Sequence, residues 1–254
     1  MSPLTLALLF GAGALGGGLN AVAGGGSFIV FPALLAAGLG PVAANATTTG
    51  GLWPAGLASA WAYRREAKKA PLALWLALSL PSLLGGAIGA FVLLGTRDET
   101  FTKALPGLLL FATLVLTFGR RLFKSRDGEP TALVLAGAAL VQMFVSVYGG
   151  FFGGGMGILM LATFSVTGMR DIHAMNALKT VLGVLINGVA VVLFVVRGKV
   201  DLVAAAAVAA GSVTGGYLGA RLAQRVDPAK VRALILVFAW GLTAYFAIRV
   251  YAVG

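Results

Sequence analysis

The chain contains no cysteine and a single histidine, His173, and only 11% of its 254 residues are charged. Without a thiol there is no disulfide, no thiolate metal site and no cysteine nucleophile. One imidazole leaves nothing from which to assemble a histidine metal site or a Ser-His triad. Acidic side chains are scarcer still. There are eight, Glu66, Asp98, Glu99, Asp127, Glu129, Asp171, Asp201 and Asp227, and all read as loop residues. No carboxylate falls deeper in an apolar run than Asp201, the second residue of 200–222. That excludes a carboxylate pair for general acid–base work, an intramembrane aspartyl dyad, and the buried acid that proton pumps and cation carriers place at membrane depth. No enzymatic activity, cofactor or metal is expected.

What the chain has instead is apolar length: 59% of its residues are hydrophobic, where soluble domains carry somewhat under half and about a quarter charged. Ten apolar segments can be drawn, at 4–23, 27–39, 42–63, 70–95, 101–119, 131–148, 156–168, 172–196, 200–222 and 230–251. Most approach the roughly 20 residues that cross a bilayer as a helix, and none shows the alternating ten-residue pattern of a membrane β-barrel. The fold class is an all-α polytopic membrane protein. Leu4 onward reads as a membrane segment rather than a signal peptide. The net charge of +11 sits in short loops between apolar runs, so it reads as a topology signal toward the lipid bilayer and not as a nucleic-acid surface.

Three basic loops set the threading: Arg64, Arg65, Lys68 and Lys69; Arg120, Arg121, Lys124 and Arg126; and Arg221, Arg225, Lys230 and Arg232. With all three inside, cytoplasmic loops collect thirteen Lys/Arg, and five lie outside (Arg97, Lys103, Arg197, Lys199, Arg249). Both termini then face outward, and the location expected is the inner, cytoplasmic membrane.

The chain is punctuated by two glycine breaks. Gly149-Gly150-Phe151-Phe152-Gly153-Gly154-Gly155-Met156-Gly157 interrupts the second half, and Ala23-Gly24-Gly25-Gly26-Ser27 the first. The segments that follow, 27–39 and 156–168, hold thirteen residues each. Thirteen helical residues reach about 20 Å against a hydrocarbon core of about 30 Å, so they read as broken or re-entrant half-helices. The breaks belong to a repeat. Gly24–Gly26 corresponds to Gly153–Gly155, Asn45-Ala46-Thr47-Thr48 to Asn176-Ala177-Leu178-Lys179, and Gly85-Gly86-Ala87-Ile88-Gly89-Ala90 to Gly215-Gly216-Tyr217-Leu218-Gly219-Ala220, at an offset between 129 and 131. The organisation is a first repeat at 1–124, a linker at 125–130 and a second repeat at 131–254. Five segments per half make the halves an inverted-topology pair, the plan of secondary transporters.

The candidate site follows. A half-helix start presents free N–H groups and a positive dipole end, and preceding glycines let an anion approach. The donors expected are the backbone around Gly25, Gly26, Ser27 and Phe28 and around Gly154, Gly155, Met156 and Gly157, with a hydroxyl from Ser27. Lys179, seven or eight residues into 172–196, is the one charged residue set more than three residues inside a span, where a charge costs about 2.5–3.5 kcal/mol at the bilayer centre. Asn176, Lys179, Thr180 and Gly183 share one helix face, and Asn45, Thr48, Thr49 and Leu52 share the matching one. Those stripes could equally be helix–helix contacts, and Lys179 could snorkel to the headgroups. Gln142, Ser146 and Gly149 share a face leading to the second break. Gly85/Gly89 and Gly215/Gly219 read as close helix packing.

The stretches Gly24 to Leu34, Gly38 to Thr47, Gly149 to Gly157 and His173 to Thr180 resemble the TauE/SafE sulfite-exporter family, the TSUP transporters, over essentially the whole chain. Thr47-Thr48 stands where members often carry Thr-Ser. The resemblance implies transport of small sulfur anions such as sulfite, sulfoacetate or related organosulfonates, leaving direction and coupling open. The function expected is a secondary transporter working by alternating access, with the anion at the midplane between the two half-helix starts. Its site residues are Gly25, Gly26, Ser27, Phe28, Asn45, Thr48, Gly154, Gly155, Met156, Asn176, Lys179 and Thr180. An anion channel and a non-transporting membrane scaffold are the alternatives. The partners are the sulfur anion and the lipid bilayer, with a homodimer left open.

Overall fold

The computed structural model describes residues 1–22, 25–119, 131–222 and 228–251. Gly24, the basic loop of Arg120, Arg121, Lys124 and Arg126, the linker 125–130, and Arg225 and Asp227 lie outside the described residues. Those described form eleven α-helices and no strand: α1 Pro3–Val22, α2 Ser27–Ala36, α3 Pro41–Ala62, α4 Arg64–Ala67, α5 Leu72–Gly95, α6 Asp98–Phe118, α7 Ala132–Phe151, α8 Met156–Val166, α9 Ile172–Val196, α10 Leu202–Leu222 and α11 Pro228–Tyr251. Five of them, beginning at Pro3, Leu72, Asp98, Ala132 and Ile172, are long and apolar enough to cross a membrane. The all-α polytopic membrane fold read from the composition is the fold observed.

The two half-helices are shorter than their apolar runs. α2 has 10 residues and α8 has 11, about 15–17 Å of helix. Glycines at positive φ delimit them, because only glycine adopts that backbone without strain. Gly25 (φ 94°) precedes α2 and Gly38 (φ 92°) follows it; Gly155 (φ 77°) caps the start of α8 and Gly168 (φ 88°) follows it. At Gly38 the chain closes with the Leu39 N–H donating to Leu34 O, 3.2 Å away, the Schellman pattern. Pro41 then opens α3, where a missing N–H does no harm.

Two expectations shift. The second glycine stretch breaks the helix later than its start suggests: α7 continues through Gly149 and Gly150 to Phe151, and only Phe152 to Gly155 leave the helix. Not all acids lie in loops either. Asp98 and Glu99 form the first turn of α6, where carboxylates complement the positive helix end, and Glu66 lies in α4.

The chain divides into two compact units that cut across the sequence repeats. The first comprises Met1–Ala55, Leu94–Thr113 and Phe194–Gly254; the second comprises Gly56–Leu93 and Leu114–Leu193. Each unit therefore joins the leading helices of one repeat to trailing helices of the other. In the first unit, α1 lies against α10 with almost no side chain between. Gly13 faces the Val208 backbone, Gly17 that of Ser212, Gly211 that of Phe10, and Gly215 that of Ala14. α2 is anchored by Phe31, whose ring centroid lies 6.4 Å from those of Phe101 on α6 and Phe246 on α11. α6 and α11, the closing helices of the two repeats, meet through equivalent residues: Thr113 and Thr243, 130 positions apart, share a buried hydroxyl contact of 3.0 Å.

In the second unit α5 and α7 repeat the glycine packing. A Cβ at Gly85 would lie 2.7 Å from Met143 O, Gly89 sits against the backbone of Val147, and Gly150 against that of Gly86. The core beside them is Leu74 and Leu78 of α5, Val145 of α7, Met160 and Phe164 of α8, and Leu178, Leu182 and Ile186 of α9. α8 is thus held by its own buried side chains.

Gly89→Val or Gly215→Val drives a branched side chain into a neighbouring main chain. Each should destabilise by more than the roughly 1–3 kcal/mol of ordinary overpacking, read as collapse of the monodisperse yield or melting temperature in detergent. Gly241→Ala, in α11 with nothing within 4 Å, should leave stability unchanged or raise it by up to about 1 kcal/mol.

Candidate functional site

The predicted residues of the second unit come together at the start of α8. α7 ends where the Phe152 and Gly153 N–H groups both donate to Tyr148 O, at 2.9 and 3.1 Å. Gly153 (φ 81°) and Gly155 (φ 77°) then reverse the chain. The turn is fastened by a bond not anticipated from the sequence: Tyr148 Oη donates to Gly154 O at 2.6 Å. In a trans peptide the carbonyl and the next N–H point opposite ways. Holding Gly154 O therefore aims the Gly155 N–H away from the tyrosine. The N–H groups of Gly154, Gly155 and Gly157 have no hydrogen-bond partner among the described residues. These are the free donors of a helix start.

α9 presents its polar face to that turn. A Cβ at Gly157 would lie 3.1 Å from Lys179 Cδ, and one at Gly183 would lie 3.6 Å from Met156 Cε. Met156 also reaches α7, its Sδ 2.6 Å from where a Cβ on Gly149 would stand. The half-buried Lys179 therefore lies across the first turn of α8, and Met156 fills the space between Gly149 and Gly183. Lys179 Nζ donates to Asn176 Oδ1 at 2.9 Å, and no carboxylate lies within ion-pair distance of it among the described residues.

The other predicted side chains already have partners. Asn176 Nδ2 donates to Ile172 O at 2.9 Å, and Thr180 Oγ1 donates to Asn176 O at 2.7 Å. Among the described residues the donors left for a ligand at this turn are the ammonium of Lys179, the second Nδ2 proton of Asn176 and the three glycine N–H groups. Asn176 and Thr180 line and brace.

The first unit carries the counterpart. Gly26 precedes α2, and the N–H groups of Gly26 and Ser27 have no partner among the described residues. Ser27 is half-buried and Phe28 buried. Asn45 and Thr48 are buried on α3, and Thr48 Oγ1 donates to Ala44 O at 2.8 Å. Here α3 packs on α10, with the Asp201 N–H donating to Thr47 Oγ1 at 3.0 Å and Gly51 against Val208. The position equivalent to Lys179 is Thr48, so this copy carries no charge.

Two further polar features belong to the second unit. Gln142 Nε2 donates to Ser82 Oγ at 2.9 Å and to Ser146 Oγ at 3.3 Å, all three side chains fully buried. A cleft of about 360 Å³ lined by Ala62, Tyr63, Glu66, Lys69 and His173 opens at the start of α9. Its only sequence signal is His173, one turn before Asn176. Beside the cleft, Asp171 accepts from the N–H groups of His173 at 2.9 Å and Ala174 at 3.3 Å, capping α9. Those bonds hold its carboxyl below the ordinary carboxylate range, with Lys69 adding a smaller pull.

Because the folded-state value is depressed, the cap stabilises above the unfolded carboxylate range and is lost as pH falls through the folded value. Melting temperatures of wild type and Asp171→Ala should differ at neutral pH and converge in acid below the carboxylate range. Tyr148→Phe keeps the ring and frees Gly154 O. It should weaken ligand binding severalfold, the order of one neutral hydrogen bond, as measured by ligand titration in detergent.

Comparison with known proteins points to a membrane transporter. A family model described as Sulfite exporter TauE/SafE matches residues 9–246. A protein of Haemophilus influenzae named a probable membrane transporter protein is 29% identical over 240 residues, covering 94% of this chain and 93% of the relative. The Escherichia coli K12 protein named probable membrane transporter protein YfcA is 28% identical over 247 residues, covering 93% and 87%. No solved structure matches. The match runs from α1 into α11 and takes in both glycine breaks and the Lys179 face, and the chain belongs to the TauE/SafE sulfite exporter family.

Proposed function

We propose that this membrane transporter moves small sulfur-containing anions, sulfite or organosulfonates, across the cytoplasmic membrane as a secondary carrier working by alternating access. The observation that carries the reading is Lys179. It is a lysine inside an apolar span, laid across the first turn of a half-helix beside three N–H groups that have no partner, and with no carboxylate to neutralise it, among the described residues. A positive charge in an apolar segment is costly unless something pairs with it. The nearby helix start offers donors of the same sign preference, so the missing partner is an anion. Sulfur oxyanions suit such a site because their oxygens accept several hydrogen bonds at once.

Alternating access needs elements that move as bodies, and the glycine interfaces within each unit, α1 on α10 and α5 on α7, are backbone-to-backbone and stiff. The relatives named as membrane transporters and the family description support the same class.

In proteoliposomes, labelled sulfite uptake should require Lys179. Lys179→Ala should weaken binding by about 10–100-fold, the range of a charge-assisted hydrogen bond of about 1.5–3 kcal/mol, while the purified protein stays monodisperse. Sulfite flux unchanged by the substitution removes Lys179 from the site and with it this reading.

A further inference from the structure

We infer that the second unit holds one open half of the transport path. It is a groove between the end of α3 and the first half of α9, entered at the cleft beside His173 and leading to Lys179. The inference rests on the reading of Lys179 as the partner of the anion and adds the route by which the anion reaches it.

Two places fix the groove. At one, the cleft of about 360 Å³ lies between Ala62 and Tyr63, at the close of α3, and His173 in the first turn of α9. At the other, a Cβ on Gly56 would lie 3.4 Å from Val184 Cγ2. α3 therefore runs from Gly56 toward the cleft, and α9 runs from the cleft to Val184. The two helices lie antiparallel, in contact at Val184 and with a cavity between them at the start of α9.

Helix periodicity sets what lines it. On α9, His173, Asn176, Thr180 and Val184 stand at i, i+3, i+7 and i+11, a single stripe. His173 is exposed and the other three are half-buried, whereas Ala174, Ala177, Leu178 and Leu182 between them are buried. The lipid-facing residues of this helix are apolar, as exposed Val192 and Val196 are. An imidazole, an amide and a hydroxyl in one stripe call for water or protein opposite. On α3, Gly56, Ser59, Ala60 and Tyr63 stand at i, i+3, i+4 and i+7, and all four are half-buried. Three of them are small, so this face leaves room along the stripe.

Lys179 meets the groove from its side. Side chains on a helix lean toward its start. Here the stem of Lys179 passes Gly157, and its ammonium reaches back to Asn176 Oδ1 at 2.9 Å. The charge is thus presented beside a residue of the stripe, on the cleft side of its own backbone. An anion moving along the stripe from His173 meets Asn176 and then the ammonium. The mouth carries both signs among the described residues. Glu66 and Lys69 line the cleft, and Asp171 lies 4.0 Å from Lys69. Mixed charge gives no strong trap for an anion, so the mouth passes the ion and the lysine holds it. In alternating access this half of the path closes when the other opens, and the small residues of α3 are where α9 can close on it.

The chain has no cysteine, so a single introduced thiol reports its own surroundings. The test uses the full chain in proteoliposomes, carrying Ser59→Cys or Thr180→Cys, and a small membrane-impermeant maleimide bearing a sulfonate. Lys69→Cys, where the native side chain is 62% exposed, marks the side on which the groove opens. Leu140→Cys, as deep in α7 as Thr180 is in α9 and 61% exposed, is the lipid-facing control. Both groove thiols should react from the Lys69 side at least tenfold faster than Leu140→Cys. Methanesulfonate should slow them severalfold, and completed labelling of Ser59→Cys should cut labelled sulfite flux at least tenfold. Two positions on two helices keep the test readable if one variant fails to fold. Groove thiols that stay unreactive while Lys69→Cys reacts, or that react only from the opposite side, overturn the inference. So does labelling that methanesulfonate does not slow and that leaves flux intact. In each case sulfite flux that still requires Lys179 leaves the anion site standing. If flux is unchanged in Lys179→Ala, the site reading falls and the inference with it.

Discussion

Inside a bilayer a backbone has no water to bond to, so every N–H left free by a helix break must find a partner or have a ligand supplied to it. The second unit of this protein is arranged around such a break. α7 stops at Phe151, α8 starts at Met156, and the turn between exposes the N–H groups of Gly154, Gly155 and Gly157. The turn does not relax to satisfy them, because Tyr148 holds the Gly154 carbonyl and buried Met160 and Phe164 hold α8. Lys179 is then drawn across a strip of glycine that leaves room for its stem. Free donors, a fixed turn and an unneutralised lysine converge at one place, and each is explained by its neighbours.

The matching stretch of the first unit has Thr48 in place of Lys179. Thr49 and Thr180 make the same back-bond, to Asn45 O at 3.1 Å and Asn176 O at 2.7 Å. Ser82 and Ser212, 130 positions apart, are both fully buried. Yet Ser82 accepts from Gln142, whereas Ser212 donates to Gly51 O. Lys179 and Gln142 both belong to the second unit. Gln142 Oε1 is buried with no partner among the described residues.

Much of this was legible in the residues. The segment list matches the helices to within a few positions because apolar length and glycine punctuation are local properties, read directly from composition. The shortness of the half-helices was legible for the same reason. Where reading and structure part, packing is responsible. Gly149 and Gly150 have the composition of a break but stay helical, since Gly150 is needed against the backbone of Gly86 and Gly149 against Met156. Asn45, Thr48, Asn176 and Thr180 read as residues lining the site. The structure shows the hydroxyl protons of Thr48 and Thr180 and one amide proton of Asn176 donated within their own helices. The Tyr148 fastening was not legible, because an intramembrane tyrosine carries no hint of which carbonyl it will meet.

The sequence by itself determined the class of the molecule: a polytopic α-helical membrane protein, with Lys179 as the charge set well inside a span. Hydrophobic length, repeat offset and the absence of acids need no neighbours to be read. Only the tertiary structure decided which residues of the Asn-Thr-Lys stripe remain available to a ligand and that the compact units join helices from both repeats. It also decided that the lysine meets the start of α8. Those depend on which backbones approach closely enough for glycine to be required, a property of pairs of helices that no single stretch of chain contains.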